Sequence, residues 1–312
     1  MLSTLPKLAD RRFILGFFLP SLLFVLALMW VLGGGNARDQ LWGQLMAKEP
    51  LNAAYLILAT WVLAVLLLAL NDVLYRIYSG QFPPLSWATR SRQRAQQARQ
   101  ALAARVETLH RQWSQHGVLS TDDRREYNDK RRQLFLSYPR NTDRVLATRF
   151  GNAFRAFQDY SNTVYGADAV AVWPRLIAVL PRDVLEKIED ARCQVDFFLN
   201  TGYLALVVGA VAIVRLVTHF DLPSALYVAA AIAVARAAYA LSIDHVMAWG
   251  ELVRSAFDGY LPALATLLGF TLPATRKARR QFWRDFSNTA SFGADPDGNV
   301  RFAPEYWDRA QK

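Results

Sequence analysis

Four apolar stretches constrain this chain more than anything else in it. Phe13–Leu32 runs twenty residues without a charge ("FILGFFLPSLLFVLALMWVL"), and Ala53–Leu70 runs eighteen. Phe197–Val214 forms a third, extendable to Val217, and Leu222–Ile243 a fourth, broken only by Arg236. A helix needs about 20 apolar residues to cross the hydrocarbon core. The first stretch is longer than a signal-peptide core, and no small-x-small cleavage site follows it, so it reads as a span. Trp30, Trp42 and Trp249 fall at or near the expected interfaces, where indoles are favoured. Outside these stretches the chain is strongly charged. The pattern predicts an all-α integral membrane protein with four transmembrane helices, arranged 2+2, and a helical cytoplasmic domain between spans two and three.

The net charge of +10 is informative through its location. The loop at 33–50 balances Arg38 and Lys48 against Asp39 and Glu49, and the turn "THFDLP" between spans three and four has no lysine or arginine. Residues 79–195 carry 19 basic and 12 acidic side chains, and the tail from 273 carries 8 and 5. The positive-inside rule therefore puts both termini and the long middle region in the cytoplasm of a multi-pass inner-membrane protein. The organisation expected is an N-terminal hairpin at 1–79 (spans about 13–32 and 53–72) and a basic helical domain at 80–195. A second hairpin follows at 196–245 (spans about 197–217 and 222–243), then cytoplasmic helices with an irregular tail at 246–312.

In the middle region, Ser86–His116 has apolar residues at three- and four-residue steps. Arg90, Arg92, Arg94, Arg99 and Arg105 on its other faces suit either a solvated basic helix packed by one face or a helix held to anionic lipid, where each basic residue contributes about 1 kcal/mol. Nucleic acid is not an expected partner, because no aromatic residues interleave for base stacking. Ser120 and Asp123 form a near capping box for a helix that Pro139 ends. Another helix is expected from Thr142, with Leu146, Phe150, Phe154 and Phe157 on one stripe, closed by Gly166. Pro174 suits the first turn of a short helix. The apolar run 169–180 is too short to span, leaving it either interfacial or packed in the domain. From Arg182 a helix runs without a breaker into span three.

"TRFGNAFRAFQDY" followed by "YGADAVAVWPRL" resembles an uncharacterised family of bacterial integral membrane proteins. The matching residues are Arg149, Gly151, Asn152, Tyr165, Gly166, Asp168, Trp173, Pro174, Arg175 and Leu176, with "WGELVRSAF" similar further on. The resemblance implies a bacterial origin and two spans on either side of the motifs. It brings no assigned activity.

No motif for nucleophilic, metal or nucleotide chemistry is present. The single cysteine, Cys193, rules out an intramolecular disulfide, and the four histidines are scattered. No cofactor and no metal are expected. Arg149, Asn152, Asp168 and Arg175 form a candidate cytoplasmic pocket or, alternatively, a set of caps and pairs that fix turns.

Charged groups inside spans are functional candidates. Aligning spans three and four as a hairpin gathers Asp196, Asn200, Asp244 and His245 at one level, with Asn71 and Asp72 ending span two nearby and Arg76 one turn on as a partner for Asp72. Arg236, eight residues before Asp244, is expected to reach Asp72, Asp196 or Asp244. Three functions fit these features. The first is a non-enzymatic protein acting by self-association or protein–protein interaction through its cytoplasmic domain. The second is an oligomeric channel or pore-type effector with Arg236 near the path. The third is a membrane enzyme on a lipid-linked substrate, using Asp196, Asp244 and His245. The expected partners are the bilayer, with anionic lipid, and a second copy or another membrane or cytoplasmic protein.

Overall fold

The computed structural model describes residues 11–33, 50–81 and 85–292. The expectations for the loop at 33–50, Trp42 and the tail beyond 292 fall almost wholly outside them. The described residues are mostly helical, joined by short turns and loops, with no strands among them. The chain divides into two compact units, residues 1–78 with 190–245 and residues 79–189 with 246–312.

The first unit begins with α1, Arg11–Leu32, whose segment Ile14–Phe18 is a π-turn. Its cause is Pro20. Proline has no N–H to give Gly16 O, four residues back, and its ring crowds that carbonyl. The ladder widens instead, and Leu19 N–H bonds to Ile14 O. Next come α2, Pro50–Ala69, and α3, Asn71–Tyr78, bent by 62° at Leu70. Two long helices complete the set, α8 (Arg182–His219) and α9 (Leu222–Leu267). α8 is unbroken, and α9 accommodates Pro262. Phe13, Phe17, Ala64, Leu67, Leu74 and Leu204 form one core of this unit, and Val31, Val208 and Ala212 a second.

Among the described residues, three helices are long and apolar enough to cross a membrane: α1, α8 and α9. The bent pair α2–α3 makes a fourth if it counts as one span. This composition is compatible with a multi-pass helical membrane protein.

The second unit holds α4 (Leu85–His116), α5 (Thr121–Ser137), α6 (Arg149–Tyr165), α7 (Ala169–Leu176) and α10 (Arg276–Phe292). Ser120 caps α5: its hydroxyl accepts from Asp123 N–H at 3.1 Å and donates to the Asp123 carboxylate at 2.6 Å. Leu109, Leu119 and Tyr127 pack α4 on α5.

Two boundaries differ from the sequence expectation. The helix expected from Thr142 starts at Arg149, because Thr142–Arg144 is a 3₁₀ turn and Thr148 is the cap, accepting from Gly151 N–H at 3.0 Å. α7 starts at Ala169 rather than at Pro174. The Asp168 carboxylate accepts from Val170 and Ala171 N–H at 2.8 and 3.2 Å, so the acidic cap overrides the proline signal. Gly166 closes α6 with φ of 80°, as its freedom from a Cβ allows.

Candidate functional site

The residues singled out in the sequence divide into three groups. One is built into turns, one forms a buried polar knot, and one faces outward.

The motif residues of the second unit belong to turns. Asn152 Oδ1 accepts from Leu146 N–H at 2.7 Å and its Nδ2 donates to Leu146 O at 3.0 Å, closing the entry to α6. Asp168 caps α7, and Arg175 donates to Ala171 O at 2.7 Å and lies over the Phe286 ring. Arg149 is exposed. Asn152, Asp168 and Arg175 thus spend polar atoms on nearby backbone, and no contact joins the four to one another among the described residues. Gly151 and Gly166 are places of close approach, where a Cβ would overlap the carbonyls of Ser79 and Arg280.

The basic helix α4 is not a free row of cations. Arg92 donates to Asp143 O. Arg99 reaches Pro139 O, Arg140 O and the Thr142 hydroxyl. Arg105 grips Glu126 with two bonds, and this holds the Glu126 carboxyl below its ordinary range. Arg90 and Arg94 remain exposed without a partner among the described residues. The expected lipid-facing set of five thus reduces to two, because the 139–143 carbonyls and Glu126 compete for the rest.

Sequence reasoning missed a cluster in the same unit. Tyr160 and Tyr165 both donate to Asp258, at 2.9 and 2.7 Å, and Arg254 stacks over Phe135 at 4.4 Å. Burial, with the bond to Asp258, pushes the Tyr160 hydroxyl up to about 12. Arg254 and Asp258 sit one turn apart, and that i,i+4 spacing was the available signal. Nearby, Asp159 is 8% exposed and pairs with Arg144 at 2.7 Å. Burial still raises its carboxyl above the usual range, against the lowering by Arg144 and Arg155.

In the first unit, Asp196 and Asn200 are buried, as is Asn71. Tyr75 donates to Asp196 Oδ1 at 2.7 Å and Asn71 Nδ2 approaches the same oxygen at 3.4 Å. Asn200 Nδ2 donates to Gly16 O at 2.8 Å, the carbonyl that Pro20 leaves without its helical donor. Asp72 and Arg76 are both exposed, and the pair expected between them is not made. Asp244 is exposed, and His245 stacks on Phe198 with ring centroids 4.8 Å apart. Asp196, Asp244 and His245 share no hydrogen bond or ion pair, so the cluster expected for lipid-linked chemistry is not assembled.

Arg236 is exposed and has no ion pair or hydrogen bond among the described residues. The expected tie to Asp72, Asp196 or Asp244 does not form. The reason is the phase of α9. Ala231, Ala238 and Ser242 face inward on one arc, which turns Arg236 outward with Ala229, Ala233, Ala237 and Ala240. Arg215, on the other arm of the hairpin, is enclosed. It donates to Ser224 Oγ at 3.1 Å and to Val31 O, and its guanidinium lies 3.6 Å from Asp221.

Among the described residues no group of three His, Cys, Asp or Glu side chains is arranged to hold a metal ion. The class rests on the fold, a helical chain with three, or up to four, candidate membrane spans. Comparison with protein-family models, with curated proteins and with solved structures returns no match.

Proposed function

We propose that this chain is a four-span inner-membrane protein that works by associating with another membrane protein through the outward face of α9. In this reading the α2–α3 pair is one bent span, the basic middle region and both termini are cytoplasmic, and no reaction is catalysed. The first unit then serves as the docking element and the second as its cytoplasmic partner domain.

One observation carries the proposal: Arg236 is exposed, with no partner among the described residues, within a helix of spanning length and composition. An arginine facing lipid at the centre of a span costs about 2.5–3.5 kcal/mol on insertion scales. A carboxylate from a neighbouring span offsets that cost. The surrounding alanines at 229, 230, 233, 237 and 240 let a second backbone approach closely.

The partner differs in sequence from this chain. A parallel two-fold pair would set Arg236 near its own copy. The chain's own carboxylates do not match its depth: Asp196 is buried and Asp221 is engaged by Arg215. Asp244 is two turns away, about 12 Å along the helix. The occupant is therefore a span with Asp or Glu at the level of Arg236.

Photo-crosslinking in native membranes tests this. A benzophenone side chain at Ala233 or Ala240 should give one dominant adduct whose peptide contains an intramembrane carboxylate. Arg236→Asp should abolish the adduct, and an acidic-to-lysine change in the partner should restore it. Adducts with lipid alone would overturn the proposal. Adducts with a second copy would overturn it in favour of the oligomeric pore, which planar-bilayer recording with and without Arg236→Ala would then decide.

A further inference from the structure

The buried knot around Asp196 has more acceptors than donors. Asp196 is 5% exposed, Asn71 6% and Asn200 0%. The donors are Tyr75 OH and Asn71 Nδ2, both on Asp196 Oδ1, and Asn200 Nδ2, on Gly16 O. Asp196 Oδ2 has only the Arg192 guanidinium, 3.9 Å away and beyond hydrogen-bond range. The oxygens on the other side of both carboxamides, Asn71 Oδ1 and Asn200 Oδ1, are buried with no donor. Flipping either amide does not help. It would set the Asn71 oxygen against the carboxylate and the Asn200 oxygen against the Gly16 carbonyl. Each buried acceptor left without a donor costs about 1–3 kcal/mol, and two occur here within a cluster that already contains a carboxylate.

The backbone brings a further oxygen to the same cluster, Gly16 O, which accepts from Asn200 rather than from its own helix. Pro20 denies Gly16 O its helical donor, and the π-turn at Ile14–Phe18 displaces the neighbouring carbonyls. Gly16 sits against the carboxylate residue: a Cβ there would lie 3.5 Å from Asp196 Cβ. α3 begins at Asn71, directly after the bend. The π-turn of α1 and the bend before α3 therefore both lie beside α8 at this polar cluster. Membrane proteins that hold alkali cations place the site at irregular points of their helices, with backbone carbonyls among the ligands.

We propose that this group of oxygens binds a small monovalent cation of the sodium class. Asp196 Oδ2, Asn71 Oδ1, Asn200 Oδ1 and Gly16 O are its ligands. The donor set is oxygen only, which suits a hard cation and excludes the soft transition metals. It carries one carboxylate. A calcium site takes 6–8 oxygens and usually several carboxylates, so the charge here matches a single positive ion. The bound ion satisfies both carboxamide oxygens at once and ties α1, α3 and α8 together. Arg192, half-exposed at the rim, screens Asp196 and gives way when the ion enters. This inference is independent of the partner at Arg236.

Thermal unfolding of the full chain in detergent, at matched ionic strength in sodium, potassium or choline chloride, tests it. The midpoint should rise by several degrees from choline to sodium and continue to rise with the logarithm of sodium concentration, because the ion binds only the folded state. Asp196→Asn keeps the side-chain shape and should abolish the sodium dependence. Asn200→Ala should weaken it whatever its effect on the midpoint in choline. Binding of radioactive sodium to the wild type supplies a readout that needs no variant to fold: saturable binding at about one ion per chain is expected. Equal midpoints in sodium and choline, no saturable binding, or a sodium response that persists in Asp196→Asn would each overturn the proposal. The first of these is the result if the oxygens are satisfied by water alone.

Discussion

Two arginines on the arms of one hairpin have opposite surroundings. Arg215 on α8 is held by Asp221, Ser224 and the Val31 carbonyl, and its side chain is 19% exposed. Arg236 on α9 touches no carboxylate and faces outward. In the sequence they look alike, each a lone cation in an apolar run. The difference lies in which arc of the helix faces the core. Arg215 has its charge balanced inside the fold, so its removal should be felt there. The partner of Arg236 has to come from outside, so its removal should be felt in association.

The same contrast between held and free positions extends to the second unit, and the largest expected effect is there. Gly166 and Gly117 both end helices with positive φ, at 80° and 72°. Only Gly166 has a backbone carbonyl, from Arg280, in the way of a Cβ, whereas nothing lies within 4 Å at Gly117. Gly166→Ala should cost about 3 kcal/mol or more, from backbone strain and overlap together. Gly117→Ala should cost only about 1 kcal/mol. Equal midpoint losses in thermal unfolding would show that crowding at Gly166 does not matter.

Next in size is Arg215→Ala, which leaves Asp221 and Ser224 without their cation. We expect a loss of about 2 kcal/mol, since charged hydrogen bonds contribute about 1.5–3 kcal/mol. A double-mutant cycle with Asp221→Ala in detergent should give a coupling of at least 0.5 kcal/mol. A coupling near zero would erase the distinction from Arg236.

Arg144→Ala should cost about 1–2 kcal/mol at neutral pH, discounted because Arg144 is half-exposed. This loss depends on pH. Burial already raises the Asp159 carboxyl above its ordinary value, and Arg144 is the leading group that lowers it. A carboxyl raised in the folded state contributes stability below its unfolded pKa, and that contribution is lost as pH rises through the folded value. The variant should therefore match the wild type below about pH 4 and fall behind it toward pH 7. A loss that is constant from pH 4 to pH 7 would mean that Asp159 is not the group responsible.

The smallest stability effect should come from Arg236→Ala. With no hydrogen bond or ion pair among the described residues to lose, it should change the stability of the purified chain by less than about 0.5 kcal/mol. A loss as large as that of Arg215→Ala would show that Arg236 has a partner within its own chain.

Much of the fold was legible in the sequence for local reasons. Apolar runs of about twenty residues, charge-free but for Arg236 in the last, marked the apolar helices, Ser120 with Asp123 marked the start of α5, and Gly166 marked the end of α6. The start of α7 was misread because a proline and an acidic cap competed six residues apart, and Asp168 reached two N–H groups. The motif at 149–175 is distinctive in sequence for a reason that appeared only in three dimensions. Its glycines are sites of close backbone approach, Asp168 caps α7, and Asn152 closes the entry to α6.

The sequence by itself determined the helices, their apolar content and the positions of the charges along them, because these depend on neighbours within a few residues. It also determined, through Pro20, that the Gly16 carbonyl would lose its helical donor. Tertiary structure alone decided where each charge faces. The rotation of α9 by a fraction of a turn separates a buried arginine from an exposed one, and that rotation is set by packing against helices distant in the sequence. The same packing brought Asn71, Tyr75, Asp196, Asn200 and Gly16 together from three helices and left two carboxamide oxygens unsatisfied. No local pattern encodes that juxtaposition.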